Sequence, residues 1–143
     1  MHDKFSTTPH QEKVSKPWGY ELILAPLEGT EITSKILHLN SGARFSLQYH
    51  DEKEEVLTLL NGECLLHLED ATGAMQQVKM EPKKGYLIRP MQKHRCEGIT
   101  DCDILESSTN ETGNTIRIED DYSRGTETEE SRKSRTQTDV YMG

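Results

Sequence analysis

The stretch GARFSLQYHDEKEEVLTLLNG, residues 42–62, decides how the rest of the chain is read. Gln48 and His50 stand two residues apart, and Glu55 follows His50 by five. In a β-strand successive side chains alternate faces, so Gln48 and His50 project to one side. Continued backwards, the alternation adds Arg44 and Ser46 to that polar face and turns Phe45, Leu47 and Tyr49 the other way. Glu55 opens the next apolar run and reaches the same space from a neighbouring strand. Asn61-Gly62 closes that run as a hairpin dipeptide.

Outward from this stretch, short β-like runs alternate with turn signals. They cover 20–24, 32–39, 44–50, 55–60, 63–68, 75–80, 86–89, 94–97, 103–107 and 115–118. No segment of helical length carries a 3.6-residue period, so the spacing predicts an all-β sandwich or barrel over residues 16–124. Residues 1–15 are polar and read as a flexible N-terminal arm. Residues 125–143, almost all Thr, Glu, Ser, Arg and Lys, bury too little apolar surface to offset their ordering entropy. They read as a flexible C-terminal tail in which 140–142 is a candidate docking segment. Trp18, the only tryptophan, either covers the edge of the core or packs across a dimer contact.

The 143 residues carry a net charge of −8 and 32% hydrophobic residues. Such an acidic chain does not neutralise phosphates in bulk, which argues against a nucleic-acid partner. No apolar run reaches membrane-spanning length, and the N-terminus shows no secretory h-region. Cys64, Cys96 and Cys102 lack CxxC spacing and read as reduced thiols of a cytoplasmic protein.

Gln48, His50 and Glu55, joined by His94, combine amide oxygen, imidazole and carboxylate. That donor set suits a borderline or hard divalent ion: zinc foremost, with manganese, iron, cobalt or nickel as alternatives. His38 and His67 lie in strands without partners at ligand spacing and read as structural histidines. Arg44 and Lys35 are candidates for substrate contact.

The spacing Gly42-x5-Gln48-x-His50-x4-Glu55-x6-Gly62 resembles the first cupin motif, with Gln48 in place of its first histidine. The form LQYH, the Lys16-Pro17-Trp18-Gly19-Tyr20-Glu21 segment, His94-Arg95 and the closing RxEDDYxR element (residues 117–124) narrow the likeness. Together they resemble the cupin domain of type II mannose-6-phosphate isomerases. That domain often forms part of a bifunctional mannose-1-phosphate guanylyltransferase. The resemblance implies a cupin jelly roll with Gln48, His50, Glu55 and His94 as metal ligands. It implies interconversion of mannose 6-phosphate and fructose 6-phosphate through an enediol, with a homodimer as the assembly. Lys53, Arg117 and Arg124 are the expected catalytic residues, and Arg44 and Lys35 the expected substrate-binding ones. Lys53 stands where the family carries an arginine, and Asp51 and Glu52 where it carries histidines. A cupin dioxygenase and a non-enzymatic sugar-binding cupin are the competing expectations.

Overall fold

The computed structural model describes residues 5–26, 28–110, 112–122 and 124–131. The expected docking segment at 140–142 lies outside the described residues. Among the described residues there are eleven strands and no helix longer than a single turn. In order they are β1 (Glu12–Lys16), β2 (Gly19–Ile23), β3 (Ile32–Leu39), β4 (Leu47–His50), β5 (Glu55–Asn61) and β6 (Cys64–Glu69). There follow β7 (Met75–Lys79), β8 (Gly85–Ile88), β9 (His94–Gly98), β10 (Cys102–Thr109) and β11 (Thr115–Glu119). They form one sheet in the order β1-β2-β3-β10-β5-β8 and a second in the order β11-β4-β9-β6-β7, with every pairing antiparallel.

Period-two alternation sorts the inner face of the larger sheet into an apolar end and a polar end. On β10 the inward residues run Cys102, Ile104, Glu106, and on β3 they run Leu39, Leu37, Lys35. Register pairs Cys102 with Leu39, Ile104 with Leu37 and Glu106 with Lys35. On β5 the inward series continues upstream from Leu59 and Leu57 to Glu55 and Lys53, all buried. The apolar halves meet Leu66 and Cys96 from the smaller sheet to form the core. Each buried leucine side chain contributes about 1.5–3 kcal/mol. The polar halves leave one end of the barrel open and hydrophilic.

Strand β1 was not among the expected runs. Residues 12–15, assigned by composition to the arm, pair with β2 along its whole length. The tail expected over 125–143 is likewise anchored at its start, because Glu127 forms an antiparallel bridge with Thr115.

Asn61-Gly62 is not a hairpin turn. Its flanking strands belong to different sheets, and the dipeptide carries the chain around the barrel corner. Gly62 has φ +79°, and a Cβ there would run into the Asp101 carbonyl and the Cys102 side chain. The glycine is required by the close approach of two backbones as well as by its dihedral angle. Trp18 is buried at 4% exposure and meets Phe45 edge-on, with ring centroids 6.0 Å apart, so it closes the core of its own chain.

Candidate metal centre

Strand β4 places Gln48 and His50 on one face, as the alternation predicts, and register sets Gln48 opposite His94 on β9. Glu55, the first residue of β5, comes across from the other sheet. Glu55 Oε2 lies 2.9 Å from His50 Nε2 and 3.3 Å from His94 Nε2. One donor atom each from His50, Glu55 and His94 lies within 4.8 Å of the others, and all three residues are at least 96% buried. Gln48 lines the same pocket, its Oε1 accepting from Ser46 Oγ at 2.6 Å.

The outer contacts of the two rings suit a metal ion. His94 Nδ1 donates to the Gln92 carbonyl at 3.0 Å, which turns Nε2 toward Glu55 as the nitrogen able to ligate. His50 Nδ1 lies 2.9 Å from Thr115 Oγ1. Donation from Nδ1 to that hydroxyl leaves Nε2 free to ligate, the usual arrangement of metal-binding histidines. Burial lowers the His50 pKa and favours the neutral, ligating imidazole. Burial alone would raise the Glu55 pKa. The nearby Lys53 charge overrides it, and the carboxyl is held well below its usual range. Two imidazoles, a carboxylate and an amide oxygen thus converge as a donor set fitted to a divalent cation.

Above these residues the pocket encloses about 620 Å³, its open mouth included. Lys16, Lys35, Lys53, Arg117 and Arg124 line it, as do Glu21, Glu106 and Glu127, with Trp18, Leu37 and Phe45 as apolar wall. Lys53 Nζ lies 3.2 Å from Glu106 Oε2, both side chains buried. Lys16 and Lys35 each lie 3.6 Å from Glu21. Arg124 makes a two-pronged contact with Asp120 at 2.9 and 3.1 Å, and Asp120 also accepts from the Arg124 backbone N–H. That clasp holds the guanidinium at the pocket.

Eight of the nine residues singled out from the sequence line this one pocket: Lys35, Gln48, His50, Lys53, Glu55, His94, Arg117 and Arg124. Arg44 does not. It precedes β4, meets β9 only through an isolated bridge to Glu97, and forks onto Asp121 at 2.7 and 3.0 Å. Residues 44–46 are not regular strand, so the alternation carries back from Gln48 to Ser46 but fails at Phe45 and Arg44. Phe45 accordingly points inward and meets His94 edge-on, with centroids 6.5 Å apart, instead of facing away. Within the RxEDDYxR element, Asp121 binds Arg44 and Asp120 binds Arg124. Buried Arg95 donates to the Phe45 carbonyl at 3.0 Å.

Sequence reasoning passed over Thr115, Glu106 and Glu127. Glu106 was detectable, since it continues the Cys102, Ile104 alternation into the pocket. Thr115 had no local signal; it reaches His50 because register sets the two opposite each other on β11 and β4. Glu127 lies in a stretch whose composition resembles a tail. His38 and His67 pair with Asp103 at 2.7 Å and Glu97 at 3.0 Å, away from the pocket.

No protein-family model matches the chain, and no curated protein matches its sequence. Solved structures do match its fold. An oxalate decarboxylase variant from Bacillus subtilis superposes with TM-score 0.68 at 14% identity, over 82% of this chain and 34% of that one. Capsular polysaccharide assembling protein CapF from Staphylococcus aureus gives 0.62 at 12%, over 83% and 34%. A recombinant oxalate oxidase in complex with glycolate gives 0.55 at 12%, over 62% and 46%. This chain spans about a third of the length of the decarboxylase and CapF chains. The fold is therefore the cupin double-stranded β-helix, and its open end holds a His–Glu–His cluster able to bind a metal ion. Among the described residues no helix is long and apolar enough to cross a membrane.

Proposed function

We propose that the chain is a metal-dependent sugar-phosphate isomerase of the mannose-6-phosphate/fructose-6-phosphate type. One observation carries the reading. The buried His50, Glu55 and His94, with half-buried Gln48, open into a pocket lined by five cationic side chains, in a chain of net charge −8. Among the described lining residues these cations face four carboxylates, so a divalent ion leaves the pocket net positive and matched to a phosphate dianion.

Zinc is the first choice for these donors, with manganese, iron, cobalt or nickel as alternatives. A bound ion supplies Lewis-acid polarisation of a sugar carbonyl or hydroxyl. The chain's own residues do the rest. Arg117, Arg124 and Lys35 hold the phosphate, the arginines by forked contact and the lysine as a point charge. Lys53 Nζ, steadied by Glu106, donates to the sugar oxygen that gains charge as a proton passes between C1 and C2. Trp18, Leu37 and Phe45 keep water from the intermediate. Arg44, committed to Asp121 outside the pocket, has no part in this scheme. A homodimer in the cytoplasm is part of the same proposal. The fold neighbours named as a decarboxylase and an oxidase support an enzymatic reading over a purely sugar-binding one.

Elemental analysis of the purified protein, paired with a coupled assay on mannose 6-phosphate, tests the reading. One equivalent of divalent metal, conversion of the sugar phosphate, and loss of both in His50→Ala are expected. Metal at background in wild type and His50→Ala alike sinks it. Iron with oxygen uptake and no sugar-phosphate conversion transfers the site to dioxygenase chemistry.

A further inference from the structure

The start of the C-terminal segment reaches the pocket, and it does so through Arg117. The Arg117 guanidinium spends both its terminal nitrogens on this segment. Nη1 donates to the Gly125 carbonyl at 2.7 Å, and Nη2 donates to Glu127 Oε2 at 3.3 Å. Both side chains are shielded, at 7% and 11% exposure, and both line the metal pocket. The segment is also fastened along its backbone. Thr115 and Glu127 exchange backbone hydrogen bonds of 2.8 and 2.9 Å, and Glu129 Oε1 accepts from the Gly113 N–H at 2.7 Å.

We propose that Glu127 is a built-in, displaceable anion that sets the pocket's selectivity. Its carboxylate, with the Gly125 carbonyl, occupies the fork of Arg117 that a phosphate monoester takes when it binds. Two oxygen acceptors on one guanidinium reproduce the forked contact by which arginine grips a phosphate. A phosphate dianion brings more charge to that fork than the glutamate it replaces, whereas a monoanionic carboxylate brings no more. The occupied fork therefore discriminates for phosphate esters and against simple carboxylates. Displacement removes both Arg117 contacts together, so the strap from Gly125 to Glu127 is held less firmly and its bridge to Thr115 opens more often. The same Thr115 places its hydroxyl on His50, so strap and candidate metal ligand share one residue.

The inference takes its ligand class from the sugar-phosphate reading and deepens it, but its test uses no turnover. Binding of inorganic phosphate and of acetate is measured by calorimetry on the full chain, as wild type, Glu127→Gln and Arg117→Gln. Glu127→Gln is expected to bind phosphate about tenfold more tightly, the scale of one hydrogen bond to a charged group. It is also expected to gain measurable acetate binding, while Arg117→Gln loses the phosphate response. Phosphate binding no tighter in Glu127→Gln than in wild type, including no binding to either, overturns the proposal. A second measurement uses wild type alone. Added phosphate is expected to speed amide hydrogen exchange at Glu127, and unchanged or slowed exchange there overturns it equally. Failure of the isomerase assay with these results intact removes the reaction and leaves the anion gate.

Discussion

Lys53 Nζ sits 3.2 Å from Glu106 Oε2 with both side chains at least 93% buried, so an ion pair lines the pocket beside Glu55, across from His50 and His94 on the other sheet. A buried pair of this kind is weak evidence for stability, because desolvation of both charges offsets their attraction. Its loss is nevertheless asymmetric. Lys53→Met leaves a buried carboxylate without its lysine and is expected to lower unfolding free energy in urea by about 3–5 kcal/mol. The double variant Lys53→Met/Glu106→Leu is expected to recover most of that loss. A double variant no more stable than Lys53→Met would show that the pair is not the relevant unit.

Thr115 acts on the site through His50. Thr115→Val keeps the shape of the side chain and removes the hydroxyl 2.9 Å from His50 Nδ1. Metal affinity is expected to fall by about 10–100-fold, the usual cost of losing such an outer contact. Competition with a chelator reads the affinity directly. Unchanged affinity would mean that another group orients the ring.

Metal loading should stabilise the fold by mass action. At a free zinc concentration about 100 times the dissociation constant, the gain is about 2.7 kcal/mol. Thermal unfolding of wild type is expected to shift upward with zinc and return with chelator, while His94→Ala shows no shift.

Two glycines share φ +79° and separate backbone strain from steric approach. An added Cβ meets nothing within 4 Å at Gly42 but meets the Asp101 carbonyl and Cys102 at Gly62. Gly42→Ala is expected to cost about 1 kcal/mol from its dihedral angle alone. Gly62→Ala must also displace a corner of the barrel and is expected to cost at least twice as much. Equal losses in denaturant titrations would rule out the steric part.

Acid stability follows from carboxylates held below their ordinary range. The Asp70 carboxyl, bonded first by the Thr72 hydroxyl, then by Gln76 and backbone N–H groups, is lowered from 3.8 to about 2. The Arg44 fork lowers Asp121, and the Arg124 contacts lower Asp120 against the opposing effect of burial. The unfolded chain binds these protons at higher pH than the folded chain. Stability is therefore fully present above about pH 4 and falls as pH drops toward 2. Asp70→Asn is expected to flatten part of that fall in pH-dependent urea titrations. An acid limb of unaltered slope would remove Asp70 from the set.

The alternating strands, the absence of a long helical period and the motif spacing are all legible in the sequence alone. Gln48 and His50 share a face because a two-residue offset in a strand permits nothing else. The same rule applied to Lys53, Glu55, Leu57 and Leu59 places Lys53 inside, although its charged neighbours had the appearance of a solvated link. The rule failed at Arg44, where the chain has not yet entered the strand. Composition misplaced residues 12–15 and Glu127, because both pair with strands that supply what their own sequence lacks.

Local sequence determined the strands, the face that each residue occupies and the chemical types available to a site, since these follow from steric alternation and side-chain chemistry. Tertiary structure alone decided which strands became neighbours. Sheet pairing set His94 opposite Gln48 and Thr115 opposite His50, and packing of the two sheets brought Glu55 across to them. It also decided that Asn61-Gly62 turns a barrel corner and that Glu127 rests on Arg117. Such relations join residues far apart along the chain. They are settled by how the two sheets bury their apolar halves together, which no single stretch of sequence contains.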